Sequence, residues 1–152
     1  MHHELPLASS AAAMVEAARA RTPSVTPAEL AAELAGPRAP VVLDVREREE
    51  LDALGTVPGA VHVPRGVLEW AADPASPLHH PPLDPARRVV LVCAVGGRSA
   101  LAADVLRALG YRDVAHLGDG FRAWAAEGRP VARGPGAPPQ QTAPPGEPSP
   151  AE

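Results

Sequence analysis

Short runs of apolar residues alternate with segments of helical periodicity along most of the chain. Each apolar run has the length of a buried strand. The predicted strands are Val41–Leu43, Ala60–Val63, Arg88–Val92 and Val114–Leu117. The predicted helices are Ala11–Arg21, Pro27–Ala35, Glu47–Leu54, Val67–Ala72, Arg98–Leu109 and Phe121–Glu127. This alternation predicts a three-layer α/β domain, in which a central, mainly parallel sheet carries helices on both faces and the extra N-terminal helix packs outside.

Capping signals mark the ends of two of these helices. Thr26 stands at an N-cap position, Pro27 at the first helical position and Glu29 three residues after the cap, which is the arrangement of a capping box. Gly110 follows the helix Arg98–Leu109, where a glycine can end a helix. The predicted apolar side of that helix contains Leu101, Val105 and Leu109, and Ala102 and Leu106 adjoin it.

Proline-rich composition marks two segments, one inside the predicted domain and one after it. Asp73–Pro85 holds five prolines in thirteen residues and is predicted to be an exposed connection. From residue 133 onward Pro, Gly, Gln and Ser dominate, and little can be buried. We therefore expect a helical extension at residues 1–24, one domain at residues 25–132 and a disordered tail at residues 133–152. The tail is either a flexible end or a proline-rich ligand for a partner.

Composition and charge narrow the function classes. The 152 residues hold 14 basic side chains, all arginine, against 18 acidic ones, which gives a formal charge of −4. This balance gives no basic patch of the kind that binds nucleic acid. No apolar stretch has the length of about 18 residues that a membrane-spanning helix needs. The start of the chain lacks the pattern of a signal peptide. The single cysteine, Cys93, excludes an internal disulfide and a cysteine zinc cluster, and it fits a reducing compartment, so we expect a cytoplasmic protein.

The segment around Cys93 carries the candidate chemistry. A predicted buried strand delivers Cys93 to the carboxyl edge of the sheet, where open α/β folds bind their ligands. The loop that follows consists of Ala94, Val95, Gly96, Gly97, Arg98 and Ser99. Its two glycines allow a tight curl, so that backbone N–H groups and the start of the next helix favour the thiolate of Cys93. Arg98 adds a positive charge, and Ser99 can hydrogen-bond the sulfur or cap the helix.

Two alternatives compete with a nucleophilic cysteine. A lone cysteine at a strand end can be a buried small hydrophobe, but the glycines, the Arg-Ser pair and the strand–loop–helix setting favour a reactive thiol. A phosphatase loop is one residue longer between its cysteine and arginine than the four residues that separate Cys93 from Arg98. The shorter ring suits a single sulfur atom rather than a tetrahedral oxyanion.

Four blocks of the sequence resemble the single-domain rhodanese family, in the family's order. Residues 93–99 match the Cys-x-x-Gly-x-Arg-Ser pattern of its active loop. Val42–Glu47 resembles its strand ending in Asp-Val-Arg-Glu, and Gly55–Pro64 resembles its Gly-His-Ile-Pro-Gly-Ala turn. Leu117–Trp124 resembles its Gly-Gly-x-x-x-Trp segment. Together the four blocks make the resemblance specific and imply a rhodanese-like fold over residues 25–132.

Two positions depart from the family pattern, since Thr56 replaces a histidine and Asp119 replaces a glycine. Neither belongs to the loop, so we expect the fold to survive both, and Asp119 alters the site only if its turn lies nearby. Asp44 and Arg46 end a predicted strand at the active edge and could take part in the chemistry. Their expected role is to support the loops through an ion pair, because buried charges need partners. Structural roles are also expected for His62, Trp70 and Trp124.

The resemblance implies a sulfurtransferase with a two-step mechanism. The Cys93 thiolate would take a sulfur atom from thiosulfate or a persulfide donor, hold it as a persulfide and pass it to cyanide or a thiol, including one on an acceptor protein. No metal or organic cofactor is implied. Because Arg98 is the one cation in the loop, we expect poor affinity for thiosulfate and a persulfide as the natural donor. The alternative function is a non-enzymatic binding or regulatory module, which the proline-rich tail favours and the retained Cys93 disfavours.

Overall fold

The structure is a computed structural model that describes residues 6–133 and 139–141. Its helices are α1 (Ala11–Arg21), α2 (Pro27–Ala35), α3 (Arg48–Leu54), α4 (Leu68–Ala72), α5 (Gly97–Leu109) and α6 (Gly120–Ala126). Its strands are β1 (Ser24–Val25), β2 (Val41–Asp44), β3 (Val61–His62), β4 (Val89–Val92), β5 (Val114–Leu117), β6 (Pro130–Ala132) and β7 (Pro139–Gln141). A turn of 3-10 helix at Arg65–Val67 leads into α4.

Five strands form one parallel sheet in the order β1-β5-β4-β2-β3. All four residues of the central strand β4 are buried, as expected for a strand covered on both faces. Leu43 and Leu91 pack with α4 and α5 on one face of the sheet. Val42 and Val90 pack with α2 and α6 on the other face. The predicted three-layer α/β fold is confirmed.

The N-terminal helix α1 packs against α5, outside the two layers that cover the sheet, as predicted. Ser10 caps its start by accepting a hydrogen bond from the Ala13 N–H at 3.0 Å. Ala18 is fully buried, and Arg21 forms an ion pair with Asp104 of α5. The helix is therefore joined to the domain by both packing and charge.

Both predicted capping signals are present. Thr26 Oγ1 accepts the Glu29 N–H at 3.1 Å, and the Glu29 carboxylate accepts the Thr26 N–H at the same distance. Gly110 ends α5 with a φ of 105°, a conformation that favours glycine. Its N–H donates to the Arg107 carbonyl at 3.0 Å, which satisfies one of the last carbonyls of the helix.

The buried side of α5 differs from the prediction. Ala102, Ala103 and Leu106 are fully buried, whereas Leu109 is 40% exposed. The helix contacts β4 and β5 as well as α1 and α4. Small alanine side chains let it lie close to the sheet, so the buried side is centred on the residues that adjoin the predicted apolar side. Val105 of the predicted side is partly buried against the same core, and Leu109 is turned outward.

The proline-rich connection is less exposed than predicted. Leu83, near its end, is fully buried in the core layer that contains α4. His79 Nε2 lies 2.7 Å from the Leu83 carbonyl oxygen, so a side chain of the connection holds its own backbone. One apolar residue is thus enough to anchor a segment whose composition is typical of an exposed loop.

One of the two tryptophans packs as predicted. Trp124 is 2% exposed, and its indole N–H donates to the Pro130 carbonyl at 2.8 Å. Trp70 is 54% exposed, because the short helix α4 turns Leu68 and Ala71 toward the core instead. The prediction for Trp70 is therefore wrong.

Three short strands have no counterpart in the sequence prediction. β1 holds two residues and pairs with the end of β5, so it is too short to leave a pattern of its own. β6 and β7 form an antiparallel ribbon, and β7 falls inside the segment for which a tail is predicted. The remainder of that predicted tail, residues 134–138 and 142–152, lies outside the described residues.

Candidate active site

The candidate active loop joins the end of β4 to the start of α5. Cys93 follows β4 directly, at the carboxyl end of the central strand. Gly96 adopts a φ of 98°, which residues with a β-carbon adopt only at a cost, and α5 begins at Gly97. The chain therefore returns on itself directly after Cys93 and brings the N-terminus of a helix next to it.

The sulfur of Cys93 lies on the inner side of this loop, and the residue is 1% exposed. Its Sγ accepts a hydrogen bond from the Gly96 N–H at 3.0 Å, and Ser99 Oγ lies 3.5 Å from it. Among the six loop residues predicted to hold the sulfur, Gly96 and Ser99 supply these two contacts. Val95 is 53% exposed and forms the outer surface of the loop.

The turn between β5 and α6 lies against the loop. The Phe121 N–H donates to the Cys93 carbonyl at 2.8 Å. A β-carbon at Gly120 would collide with the Ala94 carbonyl, so this close approach requires glycine. Asp119 belongs to the same turn and is exposed, which places this departure from the family pattern beside the loop.

Arg98 does not stand alone at the loop. Its two Nη atoms donate to the two carboxylate oxygens of Glu50 in α3, at 2.7 and 2.9 Å. These hydrogen bonds from Arg98 lower the pKa of Glu50 to about 2, so the pair is ionised at neutral pH. The positive charge expected from Arg98 is therefore balanced by a carboxylate that the sequence analysis did not place there.

A buried histidine extends the contacts of the sulfur. His116 of β5 is 1% exposed, and its Nδ1 lies 2.9 Å from Ser99 Oγ. Cys93 Sγ, Ser99 Oγ and His116 Nδ1 thus form a chain of three polar atoms. Burial, followed by the positive charges of Arg19 and Arg107, lowers the pKa of His116 to about 4, so the ring is neutral at pH 7.

An arginine of the N-terminal helix also reaches the loop. Arg19 of α1 donates to the Val95 carbonyl and to the Gly118 carbonyl, each at 3.1 Å, and joins the loop to the β5–α6 turn. This role of Arg19 is not predictable from the sequence, because no local pattern relates a helix arginine to a carbonyl 76 positions away. His116 is likewise absent from the predicted site residues, and its signal is a polar side chain inside a predicted buried strand.

Asp44 and Arg46 form a fully buried ion pair, with 2.8 Å between Asp44 Oδ2 and Arg46 Nη2. Thr56 Oγ1 donates to Asp44 Oδ2 at 2.7 Å, so the threonine that replaces the family histidine serves the pair as a donor. The Arg46 guanidinium lies 4.3 Å from the centre of the Phe121 ring. His62 Nε2 lies 2.8 Å from the Arg46 carbonyl oxygen, which fits its expected structural role. Buried charges with such partners hold neighbouring loops in place.

The arrangement is suited to an anionic sulfur. An amide donor and a helix N-terminus both stabilise negative charge at one atom. No group of His, Cys, Asp or Glu side chains that could hold a metal occurs within residues 6–133 and 139–141. In the same part of the chain, no helix has the length and apolar character needed to cross a membrane, and the cytoplasmic location stays a prediction.

Comparisons with known proteins lead to one family. The model of the Rhodanese-like domain matches residues 26–127. Human thiosulfate:glutathione sulfurtransferase is 36% identical over 112 residues, which are 69% of this chain and 95% of that protein.

Solved structures give the same result for the fold. A Rhodopseudomonas palustris protein of unknown function, described as a possible tyrosine phosphatase, superposes with a TM-score of 0.78 at 33% identity and covers 86% of this chain and 99% of its own. The human single-domain sulfurtransferase superposes with a TM-score of 0.59 at 31% identity, over 68% of this chain and 95% of its own. Relatives named as sulfurtransferases support sulfur transfer as the general chemistry. The chain belongs to the rhodanese-like domain family.

Proposed function

We propose that the protein is a sulfurtransferase that moves a sulfane sulfur from thiosulfate or a persulfide donor to a thiophilic acceptor through a persulfide on Cys93. The observation that carries this proposal is the 3.0 Å contact between Cys93 Sγ and the Gly96 N–H, in a loop that begins a helix. The amide and the helix N-terminus favour a sulfur anion over a neutral thiol. The nucleophile is therefore activated without a general base.

The proposed reaction has two displacement steps. In the first, Cys93 has lost its proton to solvent, and its thiolate attacks the outer sulfur of the donor. The S–S bond of the donor breaks, and its electron pair leaves with sulfite or, for a persulfide donor, with a thiolate. In the second, cyanide or a thiol attacks the outer sulfur on Cys93, whose thiolate then leaves. Atoms and electrons balance over the cycle without a cofactor.

The neighbouring residues have distinct parts in this proposal. The backbone of residues 94–99 surrounds the persulfide, and the Ser99 hydroxyl contacts the sulfur that carries it. Arg98 ties the first turn of α5 to α3 through its ion pair with Glu50. Asp44 and Arg46 support the site from the core, since the guanidinium packs on the ring of Phe121, whose N–H holds the Cys93 carbonyl.

The charges around the loop favour a persulfide over thiosulfate as donor. Thiosulfate carries two negative charges and gains most from unpaired cations. Within the loop the one cation, Arg98, is occupied by Glu50, and the exposed carboxylate of Asp119 lies in the adjoining turn. The guanidinium of Arg19 beside the loop donates to two backbone carbonyls. We therefore expect weak thiosulfate binding, and a KM for thiosulfate in the low micromolar range would contradict this donor preference.

Two other functions are compatible with the same fold. A binding or regulatory module needs no reactive thiol, and the burial of Cys93 is the observation that favours it. A phosphatase needs an arginine free to bind the phosphate, whereas Arg98 is held by Glu50 at 2.7 and 2.9 Å. The shorter spacing between Cys93 and Arg98 disfavours that activity further.

The test measures sulfur transfer by the purified chain and by Cys93→Ser, which keeps the size of the side chain and removes the thiolate. Thiocyanate formation is followed with thiosulfate and cyanide, and sulfur transfer to a thiol is followed with glutathione persulfide. The chain is expected to use both donors, with kcat/KM at least about tenfold higher for the persulfide. The Cys93→Ser variant is expected to be inactive with both.

The controls separate the three functions. Circular dichroism verifies that the variant is folded, and a chromogenic phosphate ester is offered under the same conditions. Phosphate release that depends on Cys93, without sulfur transfer, would establish the phosphatase instead. A folded chain that transfers sulfur from neither donor and releases no phosphate would leave the binding module as the function.

A further inference from the structure

We propose that Arg19 of the N-terminal helix is a positioning residue of the active loop, so that α1 is part of the active site rather than an extension of the domain. This inference rests on the proposed function of Cys93. Residues 11–21 lie outside the segment matched by the family model, which begins at residue 26. The assignment therefore comes from the contacts of this chain.

The Arg19 guanidinium bridges the two turns that surround the sulfur. One nitrogen donates to the Val95 carbonyl and the other to the Gly118 carbonyl, both at 3.1 Å. A β-carbon at Gly96 would stand 2.6 Å from the same guanidinium, which therefore lies directly against the residue whose N–H holds Cys93 Sγ. One planar fork thus determines the orientation of the Val95–Gly96 peptide.

Other contacts of α1 hold the Arg19 guanidinium in place. A β-carbon at Gly97, at the start of α5, would lie 3.8 Å from the side chain of Val15, one turn earlier on α1. Thr22 follows α1 and accepts a hydrogen bond from Arg107 of α5 at 2.6 Å. Packing of α1 on α5 completes the attachment. The contacts of Val15 and Thr22 therefore fix the position of α1 on α5. The distance that the Arg19 side chain spans from α1 to the active loop is then defined.

Arg19 also supplies a charge that Arg98 does not leave free. Arg98 is paired with Glu50, whereas the partners of Arg19 are neutral carbonyl oxygens. Its charge is felt inside the site, because it contributes to the lowered pKa of the buried His116. A positive charge against the loop stabilises the thiolate of Cys93 and the persulfide that replaces it.

The experiment compares Arg19→Met with Arg21→Met in the full chain. Methionine keeps the apolar stem and the helix propensity of arginine and removes the donors and the charge. Arg21 lies on the same helix and binds Asp104 away from the loop, so it is the matched control. The readouts are the rate of Cys93 alkylation by iodoacetamide as a function of pH, the persulfide loading rate, and the thermal unfolding midpoint.

Arg19→Met is expected to move the midpoint of the alkylation profile upward and to slow alkylation and loading near neutral pH by up to about tenfold. Arg21→Met is expected to keep the wild-type profile. Arg19→Lys is expected to restore part of the shift, because an ammonium keeps the charge and loses the two-pronged geometry. If Arg19→Met does not fold, the Arg19→Lys profile decides in its place.

The proposal is overturned if folded Arg19→Met, or folded Arg19→Lys when it must decide, has the same profile as Arg21→Met. Alkylation needs no sulfur donor, so it separates this inference from the proposed function. A shifted profile in a protein that loads no sulfur would retain the role of Arg19 and reject the sulfurtransferase. Sulfur transfer with an unshifted profile would reject the role of Arg19 alone.

Discussion

Ser99 stands between the sulfur of Cys93 and the imidazole of His116, and the neutral ring determines which way its hydroxyl points. A ring that accepts at Nδ1 receives the Ser99 proton and leaves the hydroxyl oxygen to the thiol. A ring that donates at Nδ1 leaves the Ser99 proton to the Gly96 carbonyl, 3.2 Å from Oγ, or to a sulfur anion. The thiolate and its persulfide therefore favour the second arrangement, which a neutral imidazole reaches by exchanging its tautomer.

His116 makes the stability of the fold depend on pH. Its pKa is lowered from 6.5 to about 4, mainly by burial, so between these values the unfolded chain binds more protons at this group than the folded one. The contribution of His116 to the free energy of unfolding is therefore fully present above about pH 6.5. It is lost as the pH decreases toward 4, by up to about 3 kcal/mol. Urea unfolding curves recorded across this range measure the loss.

The variant His116→Asn is the control for that prediction. An asparagine at this position offers an amide oxygen to Ser99 in place of Nδ1 and does not titrate. The variant is expected to lose less stability than the wild type between pH 6.5 and 4, while carboxylates such as Glu50 affect both chains alike from about pH 4.5 downward. If the free energy of unfolding falls with pH in parallel for the two proteins, His116 is not the group that causes the loss.

At the scale of elements, the loop between β4 and α5 depends on one backbone conformation. Gly96 has a φ of 98° and lies against the Gly118 carbonyl and the Arg19 guanidinium. Gly110, at the other end of α5, has a φ of 105° and open space around it. The two glycines share a backbone requirement and differ in their surroundings, so one is a control for the other.

Gly96→Ala is expected to destabilise the fold more than Gly110→Ala. Each alanine adds the cost of a positive φ, about 1–2 kcal/mol, and Gly96→Ala adds a steric clash of about the same size or larger. Chemical denaturation of both variants gives the difference, and Cys93 alkylation is expected to slow in Gly96→Ala alone. Equal destabilisation by the two variants would mean that the β5–α6 turn moves away from the added methyl group of Gly96→Ala with no loss of folding free energy.

The elements of the site differ in how far the sequence could predict them. The loop is local, so the spacing from Cys93 to Ser99 and the two glycines were enough to predict its shape and the helix after it. Apolar periodicity predicted the side of α5 that faces the sheet only in part, because close packing centred it on Ala102 and Ala103 rather than on larger side chains. Likewise, the pairing of Arg98 with Glu50 depends on how α3 meets α5, which no local pattern records.

For the whole molecule, the sequence predicted the parallel sheet, its helices and the edge of the sheet at which Cys93 lies. Those features follow from runs of apolar residues and from four blocks in a fixed order. The contacts that complete the site come from residues far apart in the chain, as in Arg19 with Val95 and Ser99 with His116. Such contacts follow from the packing of finished elements, so they become visible with the structure.

The intact mass of the protein shows whether Cys93 carries sulfur as a persulfide. The chain and Cys93→Ser are incubated with thiosulfate or glutathione persulfide, separated from the donor and measured by mass spectrometry before and after cyanide. We predict a gain of one sulfur atom in the wild type alone, faster from the persulfide and removed by cyanide. A folded wild-type chain with a free thiol that gains no sulfur from either donor would contradict this prediction.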